Sequence, residues 1–333
     1  MPDMPIESIL VISLSNIGDI ILTFPVLDSL WAMYPDAALD VVVGPKGEEL
    51  LKGNPHINEL FIFRKHQGFW ETLKWLRGLR KQYYDLIIDL RNTAIPFFLR
   101  GGRRTSPFLP RTSAHMRTQH MNRLRSLLPN ALAGKERRCV HVSPQDRRTV
   151  DAYLIYSQIN ERPFIAVAPS AADQAKRWLP QRFARLCDQM KTRYPCEVVL
   201  LGDREDREVV RLVLSEMRET AVDLSGRLTL PQLGYLLQKS RLLICNDTAP
   251  QHLASYLDTP VIALFGPTNP DKYGPWGKNG YAVVKRDRCP ACRINDPTVP
   301  HSCLEAIEID DIFNAFTWQP DKIILHATQA YGR

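Results

Sequence analysis

The strongest constraint on this chain is an alternation that runs along it twice. Short apolar, β-branched runs are each followed by a segment with helical spacing. Residues 9–14 read as a buried strand, and Ile20, Ile21, Phe24, Leu27, Leu30 and Trp31 then recur at helical spacing over 20–34. Further strands are read at 39–43 (stopped by Gly44-Pro45), 60–63 and 86–88, with a helix at 70–79. The rhythm breaks over 90–135, where one helix is read near 121–128. Another follows at 150–157, then a linker at 160–163. It then restarts, with strands at 164–168, 198–201, 221–224, 242–245 and 261–265. Helices are read between them at 181–192, 206–217 and 231–238, and at 251–256. Strands separated by helices run parallel with both faces covered. The expectation is an α/β protein of two doubly wound domains, 1–160 and 161–333, facing each other across a cleft. In such folds ligands bind beyond the carboxyl ends of the strands.

The formal charge of +7 is unevenly placed. Between Leu90 and Lys135 there is no Asp or Glu, but there are Arg91, Arg100, Arg103, Arg104, Arg111, Arg117, Arg123, Arg125 and Lys135. Gly101-Gly102, Pro107 and Pro110 mark the stretch as loop-rich. Such a field attracts a polyanion, or it is a solvated basic loop; charge alone leaves both open. No helix-turn-helix or aromatic RNA platform is visible, so nucleic acid is not expected. No apolar run reaches the roughly 18 residues of a membrane span. The first residues lack the basic start of a secretory signal, which suggests a cytoplasmic protein. Cys139, Cys187, Cys196 and Cys245 lie scattered in core-like segments, as in a reducing compartment.

Four loops carry residues suited to chemistry. Ser15-Asn16-Ile17-Gly18-Asp19 follows the first strand; Asp19 either caps the next helix or stands as a general base. The dinucleotide spacing Gly-x-Gly-x-x-Gly is missing there. Asn246-Asp247-Thr248-Ala249-Pro250-Gln251-His252 places Pro250 in a first helical turn, with Thr248 and nearby amides turned toward an anion. Asp247 equally serves as a cap and His252 as a structural residue. Phe265-Gly266-Pro267-Thr268 suits close approach by phosphate, or is an ordinary turn. After residues 164–168 comes Ser170 to Trp178, in which Lys176 and Arg177 suit a diphosphate leaving group. Three of these loops follow parallel strands of the second half and so converge on one sheet edge.

Val11 to Pro25, Lys176-Arg177-Trp178, Leu224-Ser225-Gly226, Asp247-Thr248 with His252-Leu253-Ala254, and Phe265-Gly266-Pro267-Thr268 together resemble glycosyltransferase family 9. These are the heptosyltransferases of bacterial lipopolysaccharide core assembly, and the likeness spans nearly the whole chain in order. The resemblance implies the GT-B architecture of two Rossmann-like domains, acceptor-binding first and nucleotide-sugar-binding second. It implies inverting, metal-independent transfer of a heptose from ADP-heptose to a lipid A-linked acceptor, at the inner face of a membrane. There would be no cofactor beyond the ADP-sugar co-substrate. Asp19 would be the base and Lys176 the phosphate contact. Ser170, Arg177, Glu205, Asp247, Thr248, Ala249, His252, Gly266 and Thr268 would line the donor site, Glu205 meeting the ribose. Asn16, Gly18, Arg103, Arg104 and Arg117 would serve the anionic acceptor. The family commonly has Gly where Ala249 stands, so the turn there is expected to differ slightly. No Asp-x-Asp occurs in the chain, so a carboxylate-held Mg²⁺ is not expected. Another nucleotide sugar on the same fold, or a non-catalytic polyanion-binding protein, are the alternatives; Asp19 and Lys176 together argue against the second.

Cys289, Cys292, His301 and Cys303 have zinc-compatible chemistry, but their spacing is not that of a standard finger. Reduced structural thiols are expected there rather than a structural metal.

Overall fold

A computed structural model describes residues 5–65, 68–107, 112–132, 134, 136–294 and 301–326. Of the basic stretch, Pro110, Arg111 and Lys135 lie outside the described residues. The chain divides into two compact units, 1–141 and 142–333. Among the described residues no helix is long and apolar enough to cross a membrane.

The first unit holds β1 (Ser8–Ile12), α1 (Ile17–Ile21), α2 (Phe24–Met33), β2 (Ala38–Val43), α3 (Pro45–Leu51), β3 (Leu60–Ile62), α4 (Phe69–Leu79), β4 (Tyr83–Asp89), β5 (Arg100–Arg104) and α5 (Met116–Arg125). Its five strands run parallel in the order β3-β2-β1-β4-β5, a doubly wound order. The helix expected over 20–34 is two helices. Thr23 Oγ1 donates to Ile20 O at 2.6 Å and ends α1, and Pro25 in the first turn of α2 restarts the chain. The stretch read as loop contains β5, whose Arg-Gly-Gly-Arg-Arg sequence gives no strand signal. It is an edge strand, where charge is tolerated. Gly101 lets it pair closely, since a β-carbon there would come within 2.7 Å of Tyr84 O.

The second unit holds α6 (Pro144–Tyr156), β6 (Phe164–Ala168), α7 (Pro180–Arg193), β7 (Glu197–Leu200), α8 (Arg207–Glu216), β8 (Val222–Asp223), α9 (Leu230–Lys239), β9 (Leu242–Asn246), α10 (Ala249–Tyr256), β10 (Val261–Phe265), α11 (Pro270–Tyr273), β11 (Gly280–Val284), α12 (Pro290–Ile294), α13 (Ile309–Phe313) and an antiparallel hairpin, β12 (Phe316–Trp318) with β13 (Ile323–Leu325). Six parallel strands run β11-β10-β9-β6-β7-β8. The central strands β6, β9 and β10 are buried along their whole length, which is why they read as continuous apolar runs.

The division between units falls between His141 and Val142, not at the expected 160/161. Helix α6 belongs to the second unit. A capping box of Ser143 and Asp146 starts it. Gln232 Nε2 donates to Asp146 at 3.0 Å, and Lys239 pairs with Asp151 at 3.1 Å, so α6 is fastened to α9.

Candidate active site

In the second unit the chain winds away from β6 in both directions, and the loops after β6 and β9 leave side by side (Ala168 is in register with Cys245). This is the switch point where doubly wound sheets bind ligands. Asn246 fastens both ends of the β6 loop: its Nδ2 donates to Pro169 O at 2.7 Å and its Oδ1 accepts from Trp178 N at 3.1 Å. Trp178 is buried edge-on against Phe183, with Nε1 donating to Ile307 O at 3.1 Å. Between these anchors the loop makes a 3₁₀ turn, capped by Asp173, that ends in Lys176.

Lys176 Nζ meets Asp247 Oδ2 at 2.7 Å, and Gln251 Nε2 donates to Asp247 Oδ1 at 2.7 Å. Both oxygens of Asp247 are thus spent on holding its neighbours. Its carboxylate orients Lys176, whose side chain stays 30% exposed. Thr248 is the N-cap of α10, yet its side chain caps nothing. The Thr248 and Ser170 hydroxyls are both buried and, among the described residues, have no hydrogen-bond partner. A cation, two unspent hydroxyls and a helix amino terminus converge on one edge, the donor set an anionic ligand needs. Sequence reasoning missed Asn246, Gln251 and Trp178 as positioning residues. Their signal is the polar residue closing an all-apolar strand and its amide one turn later.

The other expected donor residues fall around this edge. Ala249 opens α10 and is not among the residues with positive φ, so the turn needs no glycine. Gly266 approaches the Lys176 loop so closely that a β-carbon would lie 3.1 Å from Ala175 O. Thr268 follows in the same loop, half-buried. His252 is buried and stacks on Trp276 at 5.7 Å. Arg177 is turned back, with Nε donating to Ala171 O at 2.6 Å. Glu205 is exposed in the loop after β7, where Asp203 and Asp206 accept bonds from the loop's own amides. That loop is laced to Leu224-Ser225-Gly226 by Gly226 N donating to Gly202 O at 2.8 Å. Gly226 has φ +62°, which the residue type permits.

In the first unit the switch point lies between β1 and β4, with Ile12 in register with Asp89. Asp19 is the third residue of α1, half-buried, and its Oδ2 accepts from Asn16 Nδ2 at 3.1 Å. Among the described bonds its carboxylate makes none to a backbone amide, so it is no side-chain cap, although as an acid in the first turn of α1 it suits the helix dipole. Gly18 precedes it in α1. Gly44 lies against this loop, a β-carbon there falling 2.7 Å from Ser15 Cα. Across the switch point, Asp89 is buried and accepts from the amides of Arg91, Asn92 and Thr93. Arg123 donates to Asp89 O at 3.0 Å. Burial lowers the Arg91 and Arg123 guanidinium pKa values, and burial, with Arg123 and His115, pulls His120 down to about 4. Of the expected acceptor arginines, Arg104 donates to Pro96 O and Gly101 O, and Arg103 donates to Leu127 O, all within the unit. Arg117 lies in the first turn of α5.

Comparison with known proteins adds a family to this geometry. The family model for glycosyltransferase family 9 (heptosyltransferase) matches residues 72–300, a span that takes in Lys176, Asp247 and Thr248 and begins beyond Asp19. Lipopolysaccharide heptosyltransferase 3 of Escherichia coli is 28% identical over 79% of this chain and 84% of its own length. A glycosyl transferase family 9 structure from Veillonella parvula superposes with TM-score 0.79 at 22% identity, over 94% of this chain and 97% of the other. The E. coli ADP-heptose lps heptosyltransferase II structure gives 0.71 at 23% identity, over 92% and 96%. The fold is therefore the GT-B fold of two Rossmann-like units.

Proposed function

The chain belongs to glycosyltransferase family 9, the heptosyltransferase family, and is a glycosyltransferase; from that premise we propose that it moves a heptose from ADP-heptose onto a lipopolysaccharide core acceptor, with inversion and without a metal ion in the transfer step. The observation that carries the donor half is the Lys176–Asp247 pair at the switch point, beside two unspent hydroxyls and the start of α10. The names of the matching relatives supply the sugar and the acceptor class.

In this reading Asp19 takes the proton of an acceptor hydroxyl. The oxygen attacks the anomeric carbon from the face opposite the diphosphate, and the carbon–oxygen bond to ADP breaks. Negative charge builds on the departing diphosphate. Lys176 and the α10 amides meet it, stabilising the transition state more than the ground state. Thr248 and Ser170 supply hydroxyl donors, Glu205 meets the ribose, and Gly266 and Thr268 let the phosphates pass close. With no Asp-x-Asp to hold Mg²⁺, Lys176 does the work of the cation. Asn16 orients Asp19, and the acceptor's phosphates meet the basic stretch. Exposed Phe69, Trp70, Phe97 and Phe98 on the first unit, with Arg100 nearby in sequence, support peripheral contact with an anionic membrane face on the cytoplasmic side.

The test is thermal protection across ADP-, UDP- and GDP-sugars, followed by transfer with the best donor and lipopolysaccharide core acceptors. ADP-heptose should raise the melting temperature most and be consumed only with acceptor. Protection by a UDP- or GDP-sugar alone would transfer the assignment to another donor on the same fold.

A further inference from the structure

The segment after β11 carries none of the residues assigned to transfer above, yet it gathers four soft ligands. Cys289 precedes α12, Cys292 lies within it, and His301 and Cys303 return on a separate segment. One ligand atom from each lies within 4.8 Å of all the others. Cys292 Sγ is 3.3 Å from Cys303 Sγ and 3.4 Å from His301 Nδ1. Cys289 Sγ and Cys303 Sγ stand 3.9 and 4.0 Å from the same nitrogen. A tetrahedral zinc with bonds of about 2.3 Å to sulfur and 2.0–2.1 Å to nitrogen holds its ligands about 3.8 Å apart for two sulfurs and about 3.6 Å for sulfur and nitrogen. The observed separations scatter around those values.

Plain apolar packing does not account for the arrangement. The buried thiols of Cys139 and Cys196 donate to backbone carbonyls and behave as small core residues. Here three sulfurs and an imidazole nitrogen point at one another.

We propose that Cys289, Cys292, His301 and Cys303 hold one zinc ion, and that this ion fastens residues 286–292 and 301–307 against the loops that follow β6 and β10. Four protein ligands leave no position for water, so the ion is structural. The fastening is visible in what the segment touches. Leu304, next to Cys303, packs on Gly266, where a β-carbon would lie 3.3 Å from Leu304 Cγ. Ile307 O accepts from Trp178 Nε1 and Arg182 Nη1. Arg286 Nη2 donates to Pro267 O at 3.1 Å. The loops bearing Lys176 and Thr268 thus rest on residues the ion would hold still; this coupling rests on the donor reading above.

The test is the metal content of the full chain, purified without metal affinity resin and under reducing conditions. One zinc per chain is expected, released when the thiols are capped with a mercurial. Cys292→Ser and Cys303→Ser should each lose it, while Cys196→Ser keeps it. Should the serine variants fail to fold, cobalt exchanged into the native chain should give the absorption of a tetrahedral thiolate site. A metal-free native chain from zinc-supplemented cells, a Cys292–Cys303 disulfide in the reduced preparation, or full zinc in both serine variants overturns the site. Stripping zinc should lower the melting temperature and weaken ADP binding at least tenfold; unchanged ADP affinity in the stripped chain overturns the coupling. Failure of the zinc-loaded chain to bind ADP would instead count against the donor reading, without touching the metal count.

Discussion

Replacing Lys176 with Met leaves the Asp247 carboxylate, only 6% exposed, with Gln251 Nε2 as its remaining described partner. Removing one partner of a fully buried pair costs about 3–5 kcal/mol. Lys176 is 30% exposed, so water screens the pair and the loss falls to about 1–2 kcal/mol. The reverse change, Asp247→Asn, frees a lysine that can turn into solvent and costs less than about 1 kcal/mol. The asymmetry separates a held cation from a held carboxylate. For binding, the order of importance is the same. A hydrogen bond to a charged group contributes about 1.5–3 kcal/mol, so Lys176→Met should weaken ADP by about 10- to 150-fold. AMP, which lacks the second phosphate, should lose less. Asp247→Asn keeps the cation and should weaken ADP less than Lys176→Met does. Urea denaturation reads the stabilities, and titration calorimetry with ADP and AMP reads the affinities. Native-like ADP binding by Lys176→Met, or stability equal to that of Asp247→Asn, would refute the assignment of Lys176.

His120 titrates near 6.5 when unfolded but only near 4 in the folded chain, chiefly because it is buried. Between those values the unfolded state binds more protons, so stability falls as pH drops through that window, by about 3 kcal/mol in full. His120→Gln should flatten the unfolding free energy against pH there; parallel curves for the two proteins would contradict the burial account. Gly44→Ala forces a β-carbon to within 2.7 Å of Ser15 Cα and should destabilise the chain by about 1–3 kcal/mol in urea, with native stability as the contrary result. Transfer by the zinc-loaded chain should proceed at its full rate in buffer freed of magnesium; a rate that rises on adding Mg²⁺ would show that Lys176 does not replace a metal.

The sheets were legible because β6, β9 and β10 are buried on both faces and leave an unbroken apolar run in sequence. Strand β5 was not, because its Arg-Gly-Gly-Arg-Arg pairs through backbone at an edge, where side chains say little. Helix α6 was readable only from residue 150 onward: Val150 and Leu154 are its only buried residues, so its first turns carry no apolar stripe. Its capping box was the readable mark of where it starts. At the site, Asp247 and Lys176 could be picked from the sequence, but not that both Asp247 oxygens are already spent. Likewise the spacing of Cys289, Cys292, His301 and Cys303 resembles no standard finger. Loop closure brings the four together, and closure leaves no local pattern.

The central claim is that proton removal belongs to Asp19 in the first unit and donor anchoring to Lys176 in the second. Single-turnover transfer by Asp19→Asn, alongside its donor affinity, tests it most directly. Transfer should slow by about 10²- to 10⁴-fold while ADP-heptose affinity stays within a few fold. Transfer at the native rate would contradict it.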